Sequence, residues 1–398
     1  MSTPSWAIGI DMGGTFIDVV ACATDGRLRS LKHPREAGQL VQPILQAVQR
    51  MLDDNGIAPA QIARIVHGST VVTNLLLEQT DGPVAVITNT GMRDILALAR
   101  QDRRDLYTAA VLPPTPERRL FPAAHRFEIA GRVDAHGDEI ERPQREQIVA
   151  LAHEIAAAGL RSVAVCLLFS HLRPAHEQQV RAWLLEARPE LMVSLSSEVD
   201  PKPREFERFL ATAFDAYSKP MVQQYLQSLG DALTARGLPA PALMRSEGGI
   251  APWQDAAARP IGLAMSGPCA ALQGVAASLP ERDAGQVVMS IDVGGTSTDI
   301  GILEAGRPLF TDTLLCGDLT LRLRCADVES LSIGGGSLAS VNAGGGLRLG
   351  PRSQGAWPGP AAYGLGGTNA TLTDALLLLG RLPRQLSGGV VLDPALAE

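Results

Sequence analysis

Apolar and polar positions divide the chain into short runs with two different periods. Apolar runs of strand length stand at residues 7–10, 64–67, 84–88, 162–169, 192–196 and 287–291. Glycine, proline or charged residues bound them, as expected for strands. Between these runs, apolar residues recur at helical spacing over 41–52, 70–78, 93–100, 144–158, 174–186, 267–278 and 373–382. Pro174 marks a helix start, and the 204–236 segment, bracketed by prolines, reads as one or two long helices. Alternating β and α runs predict sheets with helices packed on them. A polar, proline-rich stretch at 102–122 reads as a long loop or cover segment. Residues 338–349 read as a hairpin with Gly344-Gly345-Gly346 at its tip, and 350–367 as a glycine- and proline-rich loop.

One segment occurs twice. Ile10-Asp11-Met12-Gly13-Gly14-Thr15-Phe16-Ile17-Asp18 recurs as Ile291-Asp292-Val293-Gly294-Gly295-Thr296-Ser297-Thr298-Asp299. Each copy follows an apolar strand run and continues into a second β-rich run, a turn (Asp25-Gly26 or Ala305-Gly306) and a third extended stretch. Paired glycines let a backbone approach a phosphate closely and aim N–H groups at its oxygens. The threonine hydroxyl adds a donor, and an aspartate at the strand end can hold Mg²⁺ or orient the group being phosphorylated. A single copy is weak evidence, since ordinary hairpins contain such residues; two copies in one strand context point to a nucleotide. The chain has no GxxxxGK[ST] loop and no GxGxxG after the first strand. The expected fold class is therefore α/β: a two-lobed actin/hexokinase-like ATPase fold with duplicated phosphate-binding β-hairpins.

Composition narrows the function further. With 398 residues the chain suits two domains, and 45% hydrophobic with 19% charged residues describes a globular protein. The expected division is an N-terminal lobe over 1–191 with the first hairpin, and a second lobe over 192–398 with the second hairpin and an adenosine region. The net charge of −7 argues against a nucleic-acid groove. No apolar run reaches the roughly 20 residues that span a bilayer. Residues 1–6 lack a signal-peptide pattern, and five scattered cysteines with no CxxC pair suggest reduced thiols. A cytoplasmic location is the expectation.

The candidate catalytic residues are Asp11, Asp292 and Asp299, with Asp11 and Asp292 also the candidate Mg²⁺ ligands. The candidate ATP-binding residues are Gly13, Gly14, Thr15, Gly294, Gly295, Thr296, Gly334, Gly335 and Gly336, the last three as the adenosine contact by their place after the second hairpin. Asp18 and Asp299 read equally as orienting groups or as structure. Ser266-Gly267-Pro268 reads either as an anion or carbonyl site at a helix start or as a plain helix start. His67, Thr70 and Asn74 sit on a strand-to-helix turn, where the residues alone favour a buried, satisfied histidine. His171 and His176 read as a turn and a helix start, not a zinc site.

Several further blocks stand in a specific order: His67-Gly68-Ser69-Thr70-Val71-Val72-Thr73-Asn74, Thr90-Gly91-Met92-Arg93-Asp94, Arg204-Glu205-Phe206-Glu207-Arg208, Ser266-Gly267-Pro268, Pro358-Gly359-Pro360 and Thr373-Asp374. With the two hairpins they resemble the hydantoinase A/5-oxoprolinase family, over nearly the whole chain. Leu331-Ser332-Ile333 departs from the family's usual glycine-containing step. The resemblance implies a subunit that uses ATP and Mg²⁺ to phosphorylate the carbonyl oxygen of a cyclic amide or imide and so drive ring opening. It also implies a small cyclic amide substrate, a B-type partner subunit, and a C-terminal region beyond 392–394 that is expected to be absent here. The alternatives are the ATPase subunit of a ketone carboxylase, a small-molecule kinase, and a non-catalytic ATP-binding regulator.

Overall fold

The structure is a computed structural model that describes residues 5–14, 16–35, 39–78, 82–101, 107, 120–283, 285–316, 319–355, 357–386 and 391–398. Most of the 102–122 stretch and Thr15 lie outside the described residues.

Both copies of the repeat fold into the same hairpin. Strand β1 (Trp6–Met12) pairs antiparallel with β2 (Phe16–Ala23), which pairs antiparallel with β3 (Leu28–Pro34). Strand β4 (Ile62–Ser69) adds to the other edge of β1 in parallel, and short strands at Ala242–Met244 and Ile250–Pro252 extend the sheet to six strands. Alternate residues of the hairpin pair across it in the core: Ile8 with Ala21, Ile10 with Val19 and Met12 with Ile17, all buried. The helix Gln42–Asn55 places Ile44, Leu45, Val48, Met51 and Leu52 in the same core, and the left-handed Gly56 ends it.

A four-stranded parallel sheet stands beside the first, built from Ala85–Asn89, Arg126–Ile129, Ser162–Cys166 and Met192–Leu195. The 204–236 segment is one helix, Glu205–Thr234, despite Pro220 inside it. Proline removes a helical N–H, and burial of Phe209, Phe214, Leu226 and Leu229 holds the helix through that gap. Lys219 is buried beside Asp215, its ammonium also donating to the Val193 carbonyl at 3.0 Å, which ties the helix to the parallel sheet. Three strands after residue 191, Met192–Leu195, Ala242–Met244 and Ile250–Pro252, thus belong to sheets built by the residues before it. Polypeptide up to about residue 265 serves the first half of the fold.

The second hairpin pairs Val287–Val293 (β5) with Thr298–Glu304 (β6) antiparallel, and Val328–Leu331 (β7) lies on the far edge of β6. Its register repeats the first: Asp11 stands opposite Asp18, and Asp292 opposite Asp299. The two turns share a hydrogen bond as well, Gly13 N–H to Phe16 O at 3.0 Å and Gly294 N–H to Ser297 O at 2.9 Å. The helix Ser266–Ser278 packs on one face of this sheet so tightly that a Cβ on Gly301 would lie 2.6 Å from the Leu272 side chain. Hairpin 338–349 forms as Ser337–Val341 paired with Leu347–Ser353, and the last apolar helix is Leu372–Leu378, shorter than the 373–382 run.

Candidate functional site

The two hairpin turns meet tip to tip. A Cβ on Gly14 would meet the Thr296 hydroxyl at 4.0 Å and, among the described residues, nothing nearer. Strand order brings Asp11, Asp18 and Lys32 into register across β1, β2 and β3. Lys32 Nζ donates to the Asp18 carboxylate at 2.7–2.8 Å. Behind Asp11, Gly68 at the end of β4 and Gly267 at the start of the helix Ser266–Ser278 close in: Cβ atoms there would lie 3.2 and 3.3 Å from Asp11 Oδ1. Ser266 fixes that helix start by accepting from the Ser69 N–H at 3.2 Å and donating to the Ser69 carbonyl at 2.9 Å. The two halves are thus stitched together beside the hairpin turns.

Electrostatics single out the two strand-end aspartates. Asp11 is pushed up from the ordinary 3.8 to about 6, chiefly because surrounding protein strips water from it, then because Asp18 and Asp292 repel its charge; Lys32 opposes this. The residue is nonetheless exposed to solvent. Asp292 is raised too, by burial first and then by Asp299, with Lys32 again opposing and Asp18 adding. The carboxylates of one hairpin feel those of the other, so they face a shared space. This surplus of negative charge is the donor set that a hard divalent cation relieves, and Mg²⁺ binds through one or two carboxylates with the rest of its shell from water and phosphate oxygens. Asp11 and Asp292 fit such an ion. Among the described residues no group of three or more His, Cys, Asp or Glu side chains is placed to hold a metal by itself.

Of the other candidates, Gly334, Gly335 and Gly336 lie against the second turn. Gly335 N–H donates to Gly294 O at 2.9 Å, Gly336 N–H to Gly295 O at 2.7 Å, and Gly334 N–H to Ser337 Oγ at 2.9 Å. All three donors are used inside the protein, so the run buttresses the phosphate-type turn and offers no N–H to an adenosine. Glycine is needed at 334 because a Cβ there would stand 2.7 Å from the backbone of Thr296 and Ser297. Gly334→Ala is expected to push the second turn out of place. It should lower the thermal midpoint by several degrees, as a buried backbone clash of 1–3 kcal/mol does. Differential scanning fluorimetry checks this, and an unchanged midpoint would show the turn to be independent of the run.

His67 is fully buried, its Nδ1 facing the Ile10 carbonyl at 3.2 Å and Nε2 the Tyr225 hydroxyl at 2.6 Å. Burial holds its pKa down at about 4, so it is neutral and structural. Thr70 Oγ1 donates to the Met12 carbonyl at 3.1 Å, and among the described residues no hydrogen bond brings the Asn74 side chain to the gap. His176 bonds Glu139 at 2.8 Å and His171 lies by Arg208 at 3.4 Å, both away from the hairpins. Sequence reading missed Lys32 and Arg35, whose guanidinium donates to the Gly13 carbonyl at 3.0 Å, and it did not place Gly68 beside Asp11. Lys32 was recoverable by counting register back through two turns; Gly68 and Arg35 needed the tertiary fold.

Twin hairpins in the same register, on two sheets and turned toward each other, define the class: a duplicated-hairpin, actin/hexokinase-like ATPase fold. Acetone carboxylase shares this fold, with a TM-score of 0.80 at 24% identity over 99% of this chain and 58% of that one. The crystal structure of ATP-dependent caprolactamase from Pseudomonas jessenii matches with a TM-score of 0.79 at 30% identity, over 98% of this chain and 57% of its own. Residues 7–187 match the hydantoinase/oxoprolinase N-terminal region and residues 208–398 the hydantoinase/oxoprolinase model. The chain belongs to the hydantoinase/oxoprolinase family. In sequence it is 31% identical to the caprolactamase alpha subunit of Pseudomonas jessenii over 96% of this chain and 55% of that subunit. To 5-oxoprolinase of Saccharomyces cerevisiae it is 28% identical over 94% of this chain and 32% of that enzyme. The chain thus spans about half or less of the length of these relatives. Among the described residues no helix is long and apolar enough to cross a membrane.

Proposed function

We propose that the chain binds ATP between the two hairpins and directs its γ-phosphoryl group to the carbonyl oxygen of a cyclic amide, as one subunit of a ring-opening hydrolase. The observation that carries this reading is the pair of tip-to-tip turns with Asp11 and Asp292 turned to one gap. It is supported by relatives named caprolactamase and 5-oxoprolinase. The turn N–H groups of Gly14, Gly295 and Thr296 are the phosphate donors in this reading, with Thr15 as a further one. Asp11 and Asp292 hold Mg²⁺, which supplies charge neutralisation to the phosphates. Asp18 and Asp299, paired across the strands, orient that carboxylate pair, and Lys32 limits their mutual repulsion.

A lactam resists water because resonance weakens its carbonyl as an electrophile and makes its nitrogen a poor leaving group. Transfer of the phosphoryl group to the carbonyl oxygen breaks the bond to ADP and leaves an activated carbon. Water then adds there, the ring C–N bond breaks, and a further hydrolysis releases phosphate. The contribution of this chain is to position and neutralise the phosphoryl group. No nucleophile–base pair stands beside the gap among the described residues, so delivery of water falls to a B-type partner subunit.

The test is ADP release by the purified chain with Mg²⁺, ATP and a panel of 5-oxoproline, hydantoins and caprolactam, with and without a B-type subunit. The expected result is ATP binding with slow hydrolysis by the chain alone, and amide-dependent ADP release with the partner. ADP release that needs a ketone and bicarbonate would instead identify a carboxylase subunit. Phosphorylation of a hydroxylated substrate without a partner would identify a kinase, and an ATPase that responds only to a client protein a regulator.

A further inference from the structure

The two hairpins are equivalent in register but opposite in burial. On the core side of β1, Trp6, Ile8, Ile10 and Met12 are each 4% exposed or less. Their counterparts on β5 in the repeat, Val287, Met289, Ile291 and Val293, are 69%, 62%, 60% and 56% exposed. The face continues onto β6, where Met289 pairs with Ile302 and Ile291 with Ile300, both half-buried. The helix Ser266–Ser278 covers only the other side of this sheet, through Leu272 and Cys269.

The strand edges differ in the same way. Strand β1 has β2 on one side and the parallel strand β4 on the other. Strand β5 has β6 on one side, and among the described residues no strand pairs with its other edge. A long, straight edge strand carrying a stripe of large apolar side chains is a template for another strand, and natural proteins protect such edges.

We propose that this surface is a docking site for a strand-and-helix segment, which adds in parallel to the free edge of β5 and lays an apolar face on the 287/289/291/293 stripe. The first half shows what such an occupant looks like, since β4 occupies the equivalent edge of β1 and the helix Gln42–Asn55, which precedes β4, packs on the same sheet and shares the core of the 6/8/10/12 stripe. The occupant is polypeptide equivalent to the part of the longer relatives that this chain does not match, for it covers only 55% of the caprolactamase alpha subunit. The mode is strand addition, in which backbone hydrogen bonds give affinity and the alternating side chains give specificity. This inference rests on the repeat and not on the proposed reaction.

Two measurements test it. Hydrogen exchange on the chain alone is expected to be fast at 287–293 and slow at 6–12, although the two strands are the same motif; slow exchange at 287–293 would overturn the idea. Co-expression with the tagged, unmatched part of the Pseudomonas jessenii caprolactamase alpha subunit is expected to yield an equimolar complex in which 287–293 become protected. Met289→Asp should cut capture at least tenfold while keeping the wild-type circular dichroism spectrum, because Met289 is exposed in the free chain. Ile140→Asp, equally exposed on a distant strand, should leave capture unchanged and so controls for general stickiness. Failure to form the complex, capture unaffected by Met289→Asp, or protection of 287–293 through self-association of the chain would each overturn the proposal.

Discussion

Asp11→Asn is expected to abolish ATP turnover while making the protein harder to unfold at neutral pH. The loss follows from the proposed site: a neutral amide cannot neutralise phosphate-bound Mg²⁺. Removing one preorganised electrostatic partner of a transition state costs roughly a hundred- to a thousandfold in rate. The gain follows from linkage. In the folded protein Asp11 keeps its proton up to about pH 6, against an ordinary 3.8. Between those values the folded state binds more protons than the unfolded state, so stability falls as pH rises through the window. Above pH 6 the full cost of ionising Asp11 is present, softened by its exposure to solvent. Asparagine carries no such cost. The thermal midpoint of the variant should therefore exceed that of wild type at pH 7.5, with the difference closing toward pH 4. Parallel melts at the two pH values, with an ADP-release assay, check both halves. Wild-type turnover by the folded variant would remove Asp11 from the reaction, and a lowered midpoint would show the carboxylate to be a structural contact.

Gly14→Val is expected to erase nucleotide binding without disturbing the empty protein. Among the described residues a Cβ at this turn meets only the Thr296 hydroxyl, at ordinary contact distance, which leaves room for the first carbon of the side chain. In the proposed site the same space is where phosphate would approach the backbone, and two added methyl groups would fill it. Wild type should gain about 2.7 kcal/mol of stability when Mg·ATP is a hundredfold above its dissociation constant, visible as a rise of a few degrees in the midpoint. The variant should show the same ligand-free midpoint as wild type and no rise with nucleotide. An equal rise in both proteins would place the nucleotide elsewhere.

The parts of this fold legible in the sequence are those written locally. The Asp-x-Gly-Gly-Thr turns, the apolar runs before them and the turns after them lie within a few dozen residues, and period and turn chemistry suffice to read them. The helix over 204–236 was legible as a helical pattern, but its continuity through Pro220 depends on tertiary burial of its flanks. The glycine run 334–336 shows the opposite case. Its position after the second hairpin suggests a nucleotide contact, and glycine there also answers to backbone packing against Thr296 and Ser297, which no local pattern reports. Gly68 and Gly267 escaped notice as neighbours of Asp11 for the same reason, since they reach it from distant segments. The bareness of β5 was also hidden, because its apolar alternation predicts a covered face and says nothing of what covers it.

Lys32 has a kinetic consequence. It is the ammonium that opposes the raised affinities for protons at both Asp11 and Asp292, and it already pairs with Asp18. The gap therefore carries more negative than positive charge before any ligand arrives. In such a field a bare nucleotide tetra-anion meets repulsion on approach, whereas the same nucleotide already carrying a divalent ion presents its positive side to the carboxylates. The proposed site is therefore expected to discriminate between charge states of one molecule. Uncomplexed ATP added in excess should be a poor competitor, and the association rate of the metal complex should depend only weakly on ionic strength.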